Sequence, residues 1–132
     1  MSSPDDPAHP PVLDLPIGRD VVLTDLRHDV GKALVGLGED HVYDVLLVVT
    51  ELVSNVLDHT TGSGRLRLLR RITPCEVTVE VDDASTQHPV YGRSRLGENR
   101  GRGMVMVESA SSEWGITLLP EGKTVFAVVP CV

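Results

Sequence analysis

The chain has very few aromatic side chains: one Trp, one Phe and two Tyr in 132 residues. A core built from it must therefore be mostly Val and Leu. Basic residues are also scarce, 12 Lys and Arg against 19 Asp and Glu, for a formal charge of −7. A protein whose main task is direct nucleic-acid binding needs a basic face, so that class is disfavoured. Only two cysteines occur, Cys75 and Cys131, with no CxxC and no local Cys/His spacing. Zinc therefore finds no support in the spacing, and both read as free thiols of a reducing cytosol, with one disulfide the alternative. No apolar run is long enough to span a membrane. The start of the chain lacks the basic-then-apolar pattern of a signal peptide, which also points to a soluble cytoplasmic protein.

The apolar fraction, 41%, is concentrated in periodic blocks, as in one folded domain. Residues 1–11, rich in Pro and Asp, are expected to form a disordered tail, and residues 12–132 a single domain. Val12 to Ile17 suits a short strand. Thr24 reads as the N-cap of a first helix whose stripe is Leu26, Val30, Ala33, Leu34 and Leu37, closed by Gly36 and Gly38. A second helix is expected over roughly 41–58, with Val42, Val45, Leu46, Val49, Leu52, Val53 and Val56 on its apolar face. Leu66 and Leu68 alternate with arginines, and Val77, Val79 and Val81 alternate with polar residues, so two strands follow. Residues 84–100 lose periodicity and read as a functional lid or binding loop. A helix over roughly 103–112, closed by Trp114-Gly115, and a hairpin turning at Glu121-Gly122 complete the chain. The expected fold is α+β: a two-layer α/β sandwich with a mixed, mostly antiparallel sheet and helices on one face.

Four features carry chemistry. Glu51 and Asn55 stand four residues apart, on one face of the second helix. An Asn oxygen is a hard ligand for Mg²⁺, and a Glu one turn away can take a proton. Taken alone, the pair reads more readily as an ordinary solvated helix face than as a site. Asp83 ends the Val77–Val81 strand on its buried side, where a carboxylate needs a partner and can accept from an exocyclic amine. Gly101-Arg102-Gly103 precedes a helix, where glycines and free N–H groups favour phosphate. Thr124 stands in the last hairpin, a common strand residue that can also bond a ligand. His59 suits a structural role at the helix end.

Together, and in order, the segments Glu51-Leu52-Val53-Ser54-Asn55, Val79-Glu80-Val81-Asp82-Asp83-Ala84-Ser85, Gly101-Arg102-Gly103-Met104 and Gly122-Lys123-Thr124 resemble the GHKL ATPase superfamily. The chain is most similar there to the small anti-sigma factor serine kinases and their histidine-kinase-like ATPase relatives, over roughly residues 20–130. The resemblance implies a Bergerat ATP fold, with ATP and Mg²⁺ as cofactors. It implies Asn55 as the Mg²⁺ ligand, Glu51 as the catalytic base and Asp83 as the adenine-binding residue. Gly101, Arg102 and Gly103 would lie beside the phosphates, and Thr124 beside adenine and its Asp. It departs from the pattern after Asp83, where Ala84-Ser85-Thr86-Gln87 brings no glycine; Ser85 would compensate through its hydroxyl. The implied activity is that of an anti-sigma factor that phosphorylates a serine of an anti-anti-sigma partner, often as a homodimer. The competing expectation is a module that sequesters a partner without phosphorylating it. A histidine-kinase catalytic domain has less support, since no dimerisation helices with a phospho-accepting His stand upstream.

Overall fold

The computed structural model describes residues 10–59, 64–84 and 105–131. Its elements run β1 (Leu13–Ile17), α1 (Leu23–Ala33), α2 (Glu39–His59), β2 (Gly64–Arg71), β3 (Glu76–Asp83), α3 (residues 105–110), β4 (Glu113–Leu119) and β5 (Gly122–Pro130). The strands form one sheet in the order β1-β2-β3-β5-β4, and each neighbouring pair is antiparallel. The expected sandwich is observed, with helices packed on one face. Among the described residues, no helix is long and apolar enough to cross a membrane.

Alternation sets the two faces of the sheet. Leu66 and Leu68 of β2, Val77, Val79 and Val81 of β3, and Val125, Ala127 and Val129 of β5 are buried in register beneath the helices. Helix α2 answers them with Val45, Val48, Val49, Leu52, Val53 and Val56, all buried. Valine opposes helix formation by no more than about 0.7 kcal/mol per residue. Burying each one returns roughly 1.5 kcal/mol or more, so packing overrides the β-branched content of α2. From α1, Leu26 and Val30 close the same core, with Leu34 just beyond its end and Val107 contributed by α3.

The opposite face is polar. Arg67 donates to both carboxylate oxygens of Asp82 at 2.8 Å and to Glu80 at 3.0 Å. Thr124 donates to Asp82 Oδ1 at 2.8 Å, and Arg65 pairs with Asp14 of β1. The arginines that alternate with leucines in β2 are thus one partner of a cross-strand ionic lattice.

Four local expectations are corrected. Thr24 lies inside the first turn of α1; Val22 is the N-cap and makes no side-chain capping bond. Helix α1 also ends sooner than its apolar stripe. Gly36 takes a positive φ of 98°, and the Arg70 guanidinium donates to Val35 O at 3.0 Å, satisfying a carbonyl just beyond the helix end. Trp114 and Gly115 belong to β4 instead of closing a helix. Trp114 sits opposite Ala127 on the core side, while Gly115 faces Phe126, whose ring lies 3.0 Å from where a Cβ would stand. Finally, Cys75 and Cys131 are joined as a disulfide, in place of the free thiols expected. The antiparallel sheet brings the β2–β3 turn beside the end of β5, and Cys131 N donates to Cys75 O at 3.0 Å.

Candidate functional site

Two contacts fix the direction in which α2 crosses the sheet. At its start, buried His41 meets Val129 O at 2.8 Å, and Val129 pairs with Val77 near the beginning of β3. Near its end, Val56 packs against Gly64, which pairs with Asp83. The C-terminal half of α2, with Glu51 and Asn55, therefore lies toward the Asp83 end of the sheet. The sequence-predicted helix pair and strand-end carboxylate are brought to the same end.

Glu51 is half-buried. Burial pushes its carboxyl pKa up, and the Asp58 carboxylate two helical turns on adds to the rise. A raised pKa makes Glu51 a stronger base than an exposed glutamate. Asn55 is half-buried one turn further along. His59 is the last residue of α2.

Asp83 is buried and has an ionic partner that sequence reasoning missed. Lys123 Nζ donates to Asp83 Oδ2 at 2.8 Å, and both side chains are about 5% exposed. The signal was present: position 123 shares the core-facing side of β5 with Val125, Ala127 and Val129, where a lone lysine requires an anion. Alternation turns Thr124 to the other face. The resemblance sets Thr124 beside Asp83; in the structure its hydroxyl bonds Asp82 instead.

The backbone at Asp82 and Asp83 is bracketed by glycines from both neighbouring strands. A Cβ on Gly64 of β2 would collide with Asp82 O, and one on Gly122 of β5 would collide with Asp83 O. These glycines let β2 and β5 lie close against the backbone of β3 at its end, whereas the segment after Asp83 brings no glycine of its own. Ser85, Gly101, Arg102 and Gly103, with most of the predicted 84–100 lid, lie outside the described residues.

Asp82 is shaped by opposing effects. Burial favours its neutral form, but hydrogen bonds from Arg67 and Thr124 and the charges of Arg67 and Arg65 outweigh that and hold its pKa below the ordinary value. The same hydrogen bond to Asp82 is the main reason the Arg67 guanidinium is held still more firmly charged.

The donor set at this end of the sheet suits a nucleotide with its cation: a hard amide oxygen, a basic carboxylate and a buried carboxylate. The family model described as a histidine kinase-like ATPase domain matches residues 21–129, from the start of α1 to the last but one residue of β5. No curated protein gave a match.

Proposed function

We propose that this chain, which belongs to the histidine kinase-like ATPase domain family, is an ATP-dependent protein serine kinase that doubles as an anti-sigma factor. The observation that carries the reading is the convergence of Glu51 and Asn55 with Asp83 at one end of the sheet. When bound, ATP with Mg²⁺ supplies the phosphoryl donor and the cation that offsets its charge. Asn55 would hold the cation and Asp83 the exocyclic amine of adenine. Gly101, Arg102 and Gly103 would face the phosphates, and Ser85 would stand in for the missing glycine.

Glu51 takes the proton from the attacking serine hydroxyl. Its raised pKa suits that role, and positioned general bases of this kind contribute about 10²–10⁴ in rate. Lys123 donates to Asp83 Oδ2 and so fixes the orientation of that carboxylate. Thr124 and Arg67 fix Asp82 on the other face of the same strand, stiffening β3 where it leaves the sheet. The proposed partners are a sigma factor, sequestered in the nucleotide-bound state, and an anti-anti-sigma protein that carries the acceptor serine.

A second reading has a specific observation in its favour: Lys123 already engages the Asp83 carboxylate, as in a closed structural pair. On that reading the chain sequesters its partner without phosphoryl transfer. Labelled phosphate transfer to a bound antagonist protein separates the two. The kinase reading expects transfer by wild type and a loss of at least about 10²-fold in Glu51→Ala with partner binding kept. Equal absence of transfer in both proteins, each still binding the partner, would establish the sequestering module.

A further inference from the structure

At the other end of α2, three side chains from three distant segments meet. His41 comes from the first turns of α2, Cys75 from the β2–β3 turn and Cys131 from the residue after β5. Their ligand atoms all lie within 4.8 Å of one another. His41 Nδ1 is 3.4 Å from Cys131 Sγ. The other ring nitrogen, Nε2, stands 2.8 Å from Val129 O. A carbonyl can only accept, so Nε2 carries the hydrogen and donates it. In the neutral ring, Nδ1 then presents its lone pair toward the sulfur.

That arrangement has two readings. A buried histidine that merely satisfies a carbonyl explains the Nε2 contact. It does not explain why the remaining lone pair points at a cysteine pair. Metal-bound histidines, in contrast, regularly donate their second ring N–H to a carbonyl, which fixes both tautomer and ring plane. Tetrahedral Zn²⁺ with Zn–N near 2.0 Å and Zn–S near 2.3 Å sets ligand atoms about 3.5–3.8 Å apart. The His41–Cys131 separation of 3.4 Å already matches, and Cα atoms 5.5 Å apart let both sulfurs reach one ion.

We propose that the reduced protein binds a thiophilic divalent cation, with Zn²⁺ the prime case, through His41 Nδ1, Cys75 Sγ and Cys131 Sγ. The disulfide and the metal-bound form are then alternative states of one site. A dithiol reduces the disulfide: its two sulfurs give up two electrons and two protons, it closes to a cyclic disulfide, and Cys75 and Cys131 become thiols. The cation then displaces both thiol protons to solvent, and a water completes its fourth position. The site is remote from Glu51, Asn55 and Asp83 and does not depend on the nucleotide reading.

The test uses the full chain, reduced with dithiothreitol, desalted without air and titrated with Co²⁺. One equivalent should give thiolate-to-cobalt charge-transfer absorption that Zn²⁺ abolishes, and the oxidised chain should give none. His41→Gln, which keeps a donor for Val129 O, should weaken Co²⁺ at least tenfold. In the reduced wild type, Zn²⁺ should slow iodoacetamide alkylation of both cysteines at least tenfold, a readout that needs no variant to fold. Absence of the charge-transfer band in reduced wild type, equal Co²⁺ binding by the oxidised chain, unchanged affinity in His41→Gln, or no protection from alkylation would each overturn the three-ligand site.

Discussion

Lys123 Nζ donates to Asp83 Oδ2 at 2.8 Å across the β3–β5 pair, and both groups are withdrawn from solvent. Such a pair is weak evidence of net stability, because two desolvation costs oppose one attraction. Breaking it is another matter. Lys123→Met leaves a buried carboxylate without its cation and should destabilise by about 3–5 kcal/mol in urea unfolding. Adding Asp83→Asn to Lys123→Met should recover about 1–3 kcal/mol of that loss, because the stranded charge is then gone.

The two glycines that bracket Asp82 and Asp83 give a prediction with an internal control. Gly122→Ala drives a methyl into Asp83 O and should cost about 1–3 kcal/mol. Gly31→Ala, in the last turn of α1 with nothing within 4 Å of the new carbon, should stabilise by about 0.5–1 kcal/mol. Thermal melts of both variants would show shifts of opposite sign.

Asp82 predicts the acid side of the stability curve. Its folded pKa lies below the ordinary 3.8, so the stability it contributes is present above that value. It is lost as pH falls through the lower folded value. Asp82→Asn should remove about 1 kcal/mol at neutral pH, a modest amount because the side chain is one-third exposed. The difference between variant and wild type should vanish in unfolding measured at strongly acid pH.

Glu51 predicts the pH dependence of turnover. As a base it works deprotonated, so activity should rise with pH through its folded pKa, which lies above the ordinary 4.5. Asp58→Asn removes the neighbouring negative charge and should move this limb to lower pH, with burial holding it above the ordinary value. A pH profile of ATP turnover for the two proteins reads the shift.

The sequence made the sheet faces legible, because alternation alone decides which residues of a strand look inward. Leu66, Leu68, Val77, Val79 and Val81 are buried as their spacing requires. It also located Glu51 and Asn55 on α2 and Asp83 at the end of β3. Partners set by strand register were less legible. Alternation sets Lys123 on the inner side of β5, but only the pairing of β5 with β3 sets it on Asp83. Thr124 follows the same logic in reverse, since one step along β5 carries it to the other face. His41 and Cys131 are 90 positions apart, beyond any local metal-binding pattern. Helix ends were similarly hidden, for Arg70 bonds Val35 O from a strand 35 residues away. Trp114 and Gly115 resembled a helix stop, but their alternation with Ile116 and Leu118 belongs to β4.

Calorimetric titration of Mg²⁺·ATP into the wild-type chain and Asp83→Asn tests most directly whether this end of the sheet is a nucleotide site. Saturable binding by wild type is predicted, weakened at least about tenfold in Asp83→Asn, a loss of about 1.4 kcal/mol. No binding by wild type, or equal binding by the two proteins, would contradict the account.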